Sequence, residues 1–158
     1  MRLDEAAEEI LHCCGSKAWA YGMAARRPMA DETTLLAASD EAWKSVKESD
    51  WLEAFQGHPR IGESRSSAGS TQSTSWSEEE QRRVGGATDE LKDALAEGNR
   101  AYERRFNHIF IVCASGKSAL EILKILRRRL RNDPTTELHE AAEQQRLITQ
   151  LRLKKWLS

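Results

Sequence analysis

Three observations predict an all-α fold for this chain of 158 residues. Apolar residues recur at spacings of three and four along most of its length, the period of a helix that buries one face. No alternating strand pattern repeats, and only the apolar run 109–114 has the length and composition of an extended segment. Helix-start signals stand at Ser77, three residues ahead of Glu80, and at Asp133-Pro134. The length suits one domain with one core and is short for two of ordinary size. The sequence therefore predicts a single-domain helical bundle spanning residues 1–158, with one long loop.

The helical period runs through 3–12, 19–25, 35–46, 84–96, 99–106 and 118–130. A last helix starts with Asp133 as N-cap and Pro134 at the first helical position, and runs almost to Trp156. Between Gln56 and Trp76 the period is lost among Gly57, Pro59, Gly62, Gly69 and many Ser and Thr residues. A structureless loop of about twenty residues exceeds the usual limit and is commonly functional or disordered.

That loop opens with Gly57-His58-Pro59-Arg60-Ile61-Gly62. Pro59 fixes its own φ and pushes His58 toward extended backbone, so the imidazole is held in a geometry that a helix does not supply. Histidine exchanges protons near neutral pH, which makes His58 either a catalytic group or a hydrogen-bonded loop residue. At the far end of the loop, Ser77-Glu78-Glu79-Glu80-Gln81 contains a Ser-x-x-Glu capping box, which by itself accounts for Ser77 and Glu80.

Charge and cysteine content exclude several classes. Hydrophobic residues make up 39% and charged residues 31% of the chain, too apolar for a disordered tail and too polar for a membrane span. With 24 Lys+Arg against 25 Asp+Glu, the net charge of −1 gives no field that favours nucleic acid. The cluster Arg127-Arg128-Arg129-Leu130-Arg131 reads as a solvated helix C-terminus opposing the helix dipole. Cys13, Cys14 and Cys113 suit reduced thiols, and His12, His58, His108 and His139 show no metal-ligand spacing. His12, His108 and His139 read as structural. The first residues lack a signal peptide's apolar core, so a cytoplasmic protein is expected.

Two further segments complete a pattern: Phe106-Asn107-His108-Ile109-Phe110-Ile111-Val112-Cys113-Ala114-Ser115-Gly116-Lys117 and Ile148-Thr149-Gln150-Leu151-Arg152-Leu153. With the His58 loop and the Ser77 motif, in this order, they resemble the 2-oxo-4-hydroxy-4-carboxy-5-ureidoimidazoline (OHCU) decarboxylase family over nearly the whole chain. The resemblance implies a cofactor-free carboxy-lyase that forms (S)-allantoin in urate degradation. It assigns proton transfer to His58, paired with Glu80. It implies substrate contacts from Pro59, Ser77, Glu78, Glu79, Glu80 and Gln81, from Phe110, Val112, Cys113, Ala114, Ser115 and Gly116, and from Arg152. It also implies a homodimer. The chain ends in Lys155-Trp156-Leu157-Ser158, without the targeting tripeptide of the family's peroxisomal members.

The chemistry is consistent with those residue types. An imidazolinone C=N bond beside the carbon that carries carboxylate and hydroxyl accepts the electron pair released on decarboxylation, so no cofactor or metal is required in principle. On a helical wheel Arg152 falls between Ile148 and Trp156, on the face of Leu138, Ala141 and Gln145. A guanidinium on an apolar stripe needs an anionic partner, either a substrate carboxylate or a structural one. The alternatives are a non-catalytic helical interaction module and a metal-dependent ureide hydrolase.

Overall fold

The computed structural model describes residues 1–61 and 88–157. The predicted helix start at Ser77, the loop residues from Gly62 onward and the first residues of the predicted 84–96 helix lie outside them. Among the described residues there are seven helices and no strand: α1 (Leu3–Ile10), α2 (Lys17–Ala25), α3 (Glu32–Ser45), α4 (Glu48–Gln56), α5 (Asp89–Phe106), α6 (Ala119–Arg129) and α7 (Pro134–Leu157). The all-α expectation holds. Two compact units are formed, one by Met1–Gly57 with Gln145–Ser158, the other by His58–Gln144.

In the first unit, short side chains set the starts of α2 and α3. Ser16 Oγ accepts from the Trp19 N–H at 3.1 Å, and an Asp31 carboxylate oxygen accepts from the Thr34 N–H at 2.8 Å. The latter bond holds the Asp31 carboxyl below the usual carboxylate range. Trp19, Ala20, Met23, Phe55 and Leu153 are fully buried. The Trp19 indole N–H satisfies itself on Ser39 Oγ at 3.2 Å, joining α2 to α3. Asp40 of α3 accepts from Gln150 at 3.0 Å and pairs with Arg146 at 3.3 Å, which ties in the second half of α7.

The sequence reading leaves out α4. It is nine residues long and begins three positions after α3 ends, with no cap from the Lys47 side chain. Asp50 accepts from the Lys47 N–H at 3.0 Å, and tertiary contacts hold the helix: Phe55 is fully buried, and the Trp51 indole donates to the Trp43 carbonyl at 3.2 Å.

The second unit is built on α5, which is one continuous helix of 18 residues where the sequence pattern suggests a break between 96 and 99. Gly98 falls at that break. A Cβ there would stand 2.5 Å from Leu126 Cδ2, so the missing side chain lets α6 pack closely on α5. Asn107 ends α5 in the left-handed region at φ 64° and donates its N–H to the Glu103 carbonyl at 2.9 Å. Ser118 then caps α6, and Asp133, as the sequence predicts, caps α7 by accepting from the Thr136 N–H at 2.9 Å.

One part of the Arg127–Arg131 cluster departs from the solvated reading. Arg127 and Arg128 are exposed, but Arg129 is 1% exposed. It follows Ile122 and Leu126 around the inner face of α6. Its Nε donates to Glu137 Oε2 at 2.9 Å, and Glu137 is itself fully buried. Glu137 also accepts from the Tyr102 hydroxyl and from Asn132 Nδ2. Burial, with the hydrogen bond to Glu137, drives the Tyr102 phenol well above its usual range, so it stays protonated and donates.

Breaking this network from one side should be costly. Arg129→Met strands the buried Glu137 carboxylate and is expected to lose about 3–5 kcal/mol in urea denaturation. Adding Glu137→Gln removes the stranded charge while keeping an acceptor for Tyr102, and should recover a substantial part. A single variant within 1 kcal/mol of wild type, on the order of a surface change, would contradict the account.

Candidate active site

His58 and Pro59 follow Gly57, the C-cap of α4, and begin the second unit. Both are partly exposed. The loop that carries them is tethered to α5 just beyond the histidine. Arg60 makes a two-pronged contact with Glu103, Nε to Oε2 at 2.8 Å and Nη2 to Oε1 at 2.9 Å. Asn99 Nδ2 donates to the Leu95 carbonyl at 2.9 Å and reaches the Ile61 carbonyl at 3.4 Å. A guanidinium fork on a carboxylate fixes direction as well as distance. The chain leaving His58 therefore has a defined path along α5.

The segment after α5 belongs to the same assembly. Phe110, Val112 and Ala114 sit in a hydrophobic cluster with Leu95 and Tyr102 of α5 and Ile122, Leu123 and Leu126 of α6, and Ile61 packs against that cluster. The His58 loop and the 110–114 run thus share one core. Phe110, Val112, Cys113 and Ala114 are buried, whereas Ser115 and Gly116 are exposed. Gly116 has φ 75°, the left-handed region that lets the chain turn into α6 without strain. The run lies outside any sheet among the described residues. Side chains serve its peptide groups: Arg129 Nη1 donates to the Ile111 carbonyl at 2.6 Å, Gln144 Oε1 accepts from the Cys113 N–H at 2.8 Å, and Lys117 Nζ donates to the Cys113 carbonyl at 3.0 Å.

Arg152 is in the first unit, on α7, and is 5% exposed, as its place on the helical wheel requires. Its charge, together with burial, acts on two neighbours. Burial first, then the Arg152 charge, pushes half-buried His12 below its usual range against the opposing influence of Glu9. Cys14 is pushed up to about 11, chiefly by burial, and Thr149 and Arg152 offset part of that rise. A thiol so placed is protonated at neutral pH and unreactive. His108 and His139 bond to the carbonyls of Ile109 at 3.0 Å and Thr135 at 2.9 Å.

Ser77, Glu78, Glu79, Glu80 and Gln81 lie outside the described residues, so the proposed pairing of His58 with Glu80 has no geometry here. Sequence reasoning missed Gln144, Glu103 and Arg129. Each is a polar residue on a helix whose neighbours along the chain give no sign that its partner comes from another element.

The helical fold is shared with a crystal structure of (S)-allantoin synthase, at a TM-score of 0.70 and 18% identity, covering 98% of this chain and 50% of that one. A crystal structure of OHCU decarboxylase in the presence of (S)-allantoin matches at a TM-score of 0.80 and 35% identity, covering 94% of this chain and 96% of that one. The sequence model of the OHCU decarboxylase family matches residues 1–154. The chain belongs to the OHCU decarboxylase family. Curated relatives are the uric acid degradation bifunctional protein TTL of Arabidopsis thaliana, 36% identical over 159 aligned residues, and the uric acid degradation bifunctional protein of Bacillus sp. (strain TB-90), 26% identical over 156. This chain is covered to 100% and 94% in those alignments, and spans 49% and 30% of the relatives' lengths.

The surroundings of Arg152 carry a pH signature. Because the folded pKa of His12 lies below the unfolded value of about 6.5, the unfolded chain binds the extra proton first as pH falls. This contribution to stability is therefore present above that value and is lost as pH drops through it toward the folded pKa. His12→Gln should reduce the loss of stability between pH 7.5 and pH 5.5, measured by urea denaturation at each pH. An unchanged acid limb would show that His12 does not couple in this way.

Proposed function

We propose that this chain decarboxylates OHCU to (S)-allantoin in urate degradation. The observation that carries the proposal is the match to an OHCU decarboxylase crystallised with (S)-allantoin, which extends over nearly the full length of both chains. The packing of Ile61, three residues after His58, against the cluster that contains Phe110, Val112 and Ala114 supports it.

The reaction breaks the bond between the hydroxyl-bearing ring carbon and its carboxylate. Carbon dioxide leaves, the released pair forms a C=C bond to the ureido-bearing carbon, and the former C=N pair moves onto the ring nitrogen, which takes up a proton. The resulting enol loses its hydroxyl proton and gains a proton on the ureido-bearing carbon. Delivery to one face of that carbon sets the S configuration. In this reading His58 transfers the proton, with Glu80 orienting the imidazole and tuning its basicity. Arg152 binds the carboxylate, where a guanidinium offers a planar pair of donors. Peptide groups between Val112 and Gly116 bind the ring, and Phe110 and Pro59 add apolar walls. Ser77 and Gln81 hydrogen-bond the ureido group, and Glu78 and Glu79 are further substrate contacts in this reading. The substrate supplies its own electron sink, so the proposed reaction is cofactor-free and metal-free. We place the enzyme in the cytoplasm as a homodimer. No described helix is long and apolar enough to cross a membrane.

The test generates OHCU in situ from urate and follows the circular dichroism of the (S)-allantoin formed. Wild-type protein should accelerate its appearance after exhaustive dialysis against a chelator. Activity lost on chelation and restored by one divalent metal would overturn the cofactor-free mechanism. His58→Ala should cost on the order of 10²–10⁴ in rate with the fold retained, and near-wild-type turnover would refute its role. Arg152→Met should raise KM at least about tenfold, equivalent to losing one charge-assisted hydrogen bond. An unchanged KM would remove Arg152 from the site.

A further inference from the structure

We propose that Gln144 is a positioning residue for ligand recognition, holding the Cys113 peptide so that the opposite edge of the 110–114 run faces the ligand. The inference rests on the reading of that run as part of the substrate site.

A buried backbone segment outside any sheet must still satisfy its peptide groups. Here three side chains do so from three separate places: Arg129 near the end of α6, Lys117 in the turn before it, and Gln144 on α7. The groups they hold are the Ile111 carbonyl and both the N–H and the carbonyl of Cys113. These belong to alternate residues. In an extended chain, alternate residues direct their peptide groups to the same edge. One edge of the run is thus engaged by the protein's own side chains. The groups of Val112 and the Ala114 N–H belong to the other edge, in the order donor, acceptor, donor. A cyclic ureide carries adjacent N–H and C=O groups on its ring and is the complement of such an edge.

Gln144 is the critical member of this clamp. The Cys113 N–H points toward a helix face, and the Gln144 amide oxygen supplies its acceptor without adding a charge. Arg129 is committed to the buried pair with Glu137, and Lys117 holds the carbonyl of Cys113 itself. Removing the Gln144 acceptor strands the Cys113 N–H, and the chain relieves that cost by rotating the peptide. Rotation at Cys113 turns the Val112 and Ala114 groups with it.

The experiment measures (S)-allantoin binding by titration calorimetry, because this neutral ligand does not respond to a change of charge at residue 144. Gln144→Met keeps the side-chain length and helix preference but has no oxygen, while Gln144→Glu keeps an oxygen in the same place. Gln144→Met should weaken binding about tenfold, with a melting temperature close to wild type, and Gln144→Glu should restore binding to within about threefold. Lys117→Met removes the other side of the clamp and should weaken binding in the same direction, so the proposal stays testable if Gln144→Met does not fold. Gln144→Met binding as tightly as wild type overturns the proposal, as does Gln144→Glu binding as weakly as Gln144→Met. So does Lys117→Met with wild-type affinity. A wild-type protein that neither binds (S)-allantoin nor forms it overturns the underlying functional reading instead.

Discussion

The buried ion pair of Arg129 and Glu137 is the contact on which the second unit depends. Neither charge is tolerable alone in that interior, and each is held by more than the other. Glu137 collects Arg129, the Tyr102 hydroxyl and Asn132, while Arg129 also reaches the Ile111 carbonyl and lies 4.6 Å from the Phe110 ring centroid. Four stretches of chain are joined through it: α5, the segment after it, α6, and the start of α7. A hydrophobic contact would tolerate sliding. Directed hydrogen bonds from a guanidinium do not, so the pair sets where the 110–114 run lies relative to the helices of its own unit.

That constraint explains how a segment without a sheet can present backbone groups in a fixed arrangement. The Ile111 carbonyl is held by Arg129, and the Cys113 peptide is held by Gln144 and Lys117. The His58 loop is treated in a similar way. Arg60 grips Glu103, and Ile61 packs on the cluster that contains Phe110, Val112 and Ala114. Side chains on regular helices thus carry the irregular chain on both sides of this assembly. The reaction proposed above needs positioned proton-transfer and hydrogen-bonding groups above all, and this scaffold is suited to that task.

The sequence was legible where periodicity or a local cap decides the structure. Asp133 caps its helix through a bond that spans three residues, and Arg152 is buried because a helix repeats every 3.6 residues. The pattern misled where a partner from elsewhere overrides it. Gly98 looks like an interruption until Leu126 is found against it, and α4 has no cap from the Lys47 side chain but is held by Phe55 and Trp51. Arg129 looked solvated within a basic run, yet the face shared with Ile122 and Leu126 turns it inward to Glu137.

By itself the sequence determined the helical class, the capped start of the last helix at Asp133, and the family, because these rest on local spacing and on motifs in a fixed order. The tertiary structure decided which edge of the 110–114 run the protein holds, which arginine of the basic cluster is buried, and that the His58 loop and this run share a core. Those features depend on contacts such as Cys113 with Gln144 and Arg60 with Glu103, whose partners are 31 and 43 residues apart. At such separations no local pattern records the pairing, and only the folded chain brings the groups within hydrogen-bond reach.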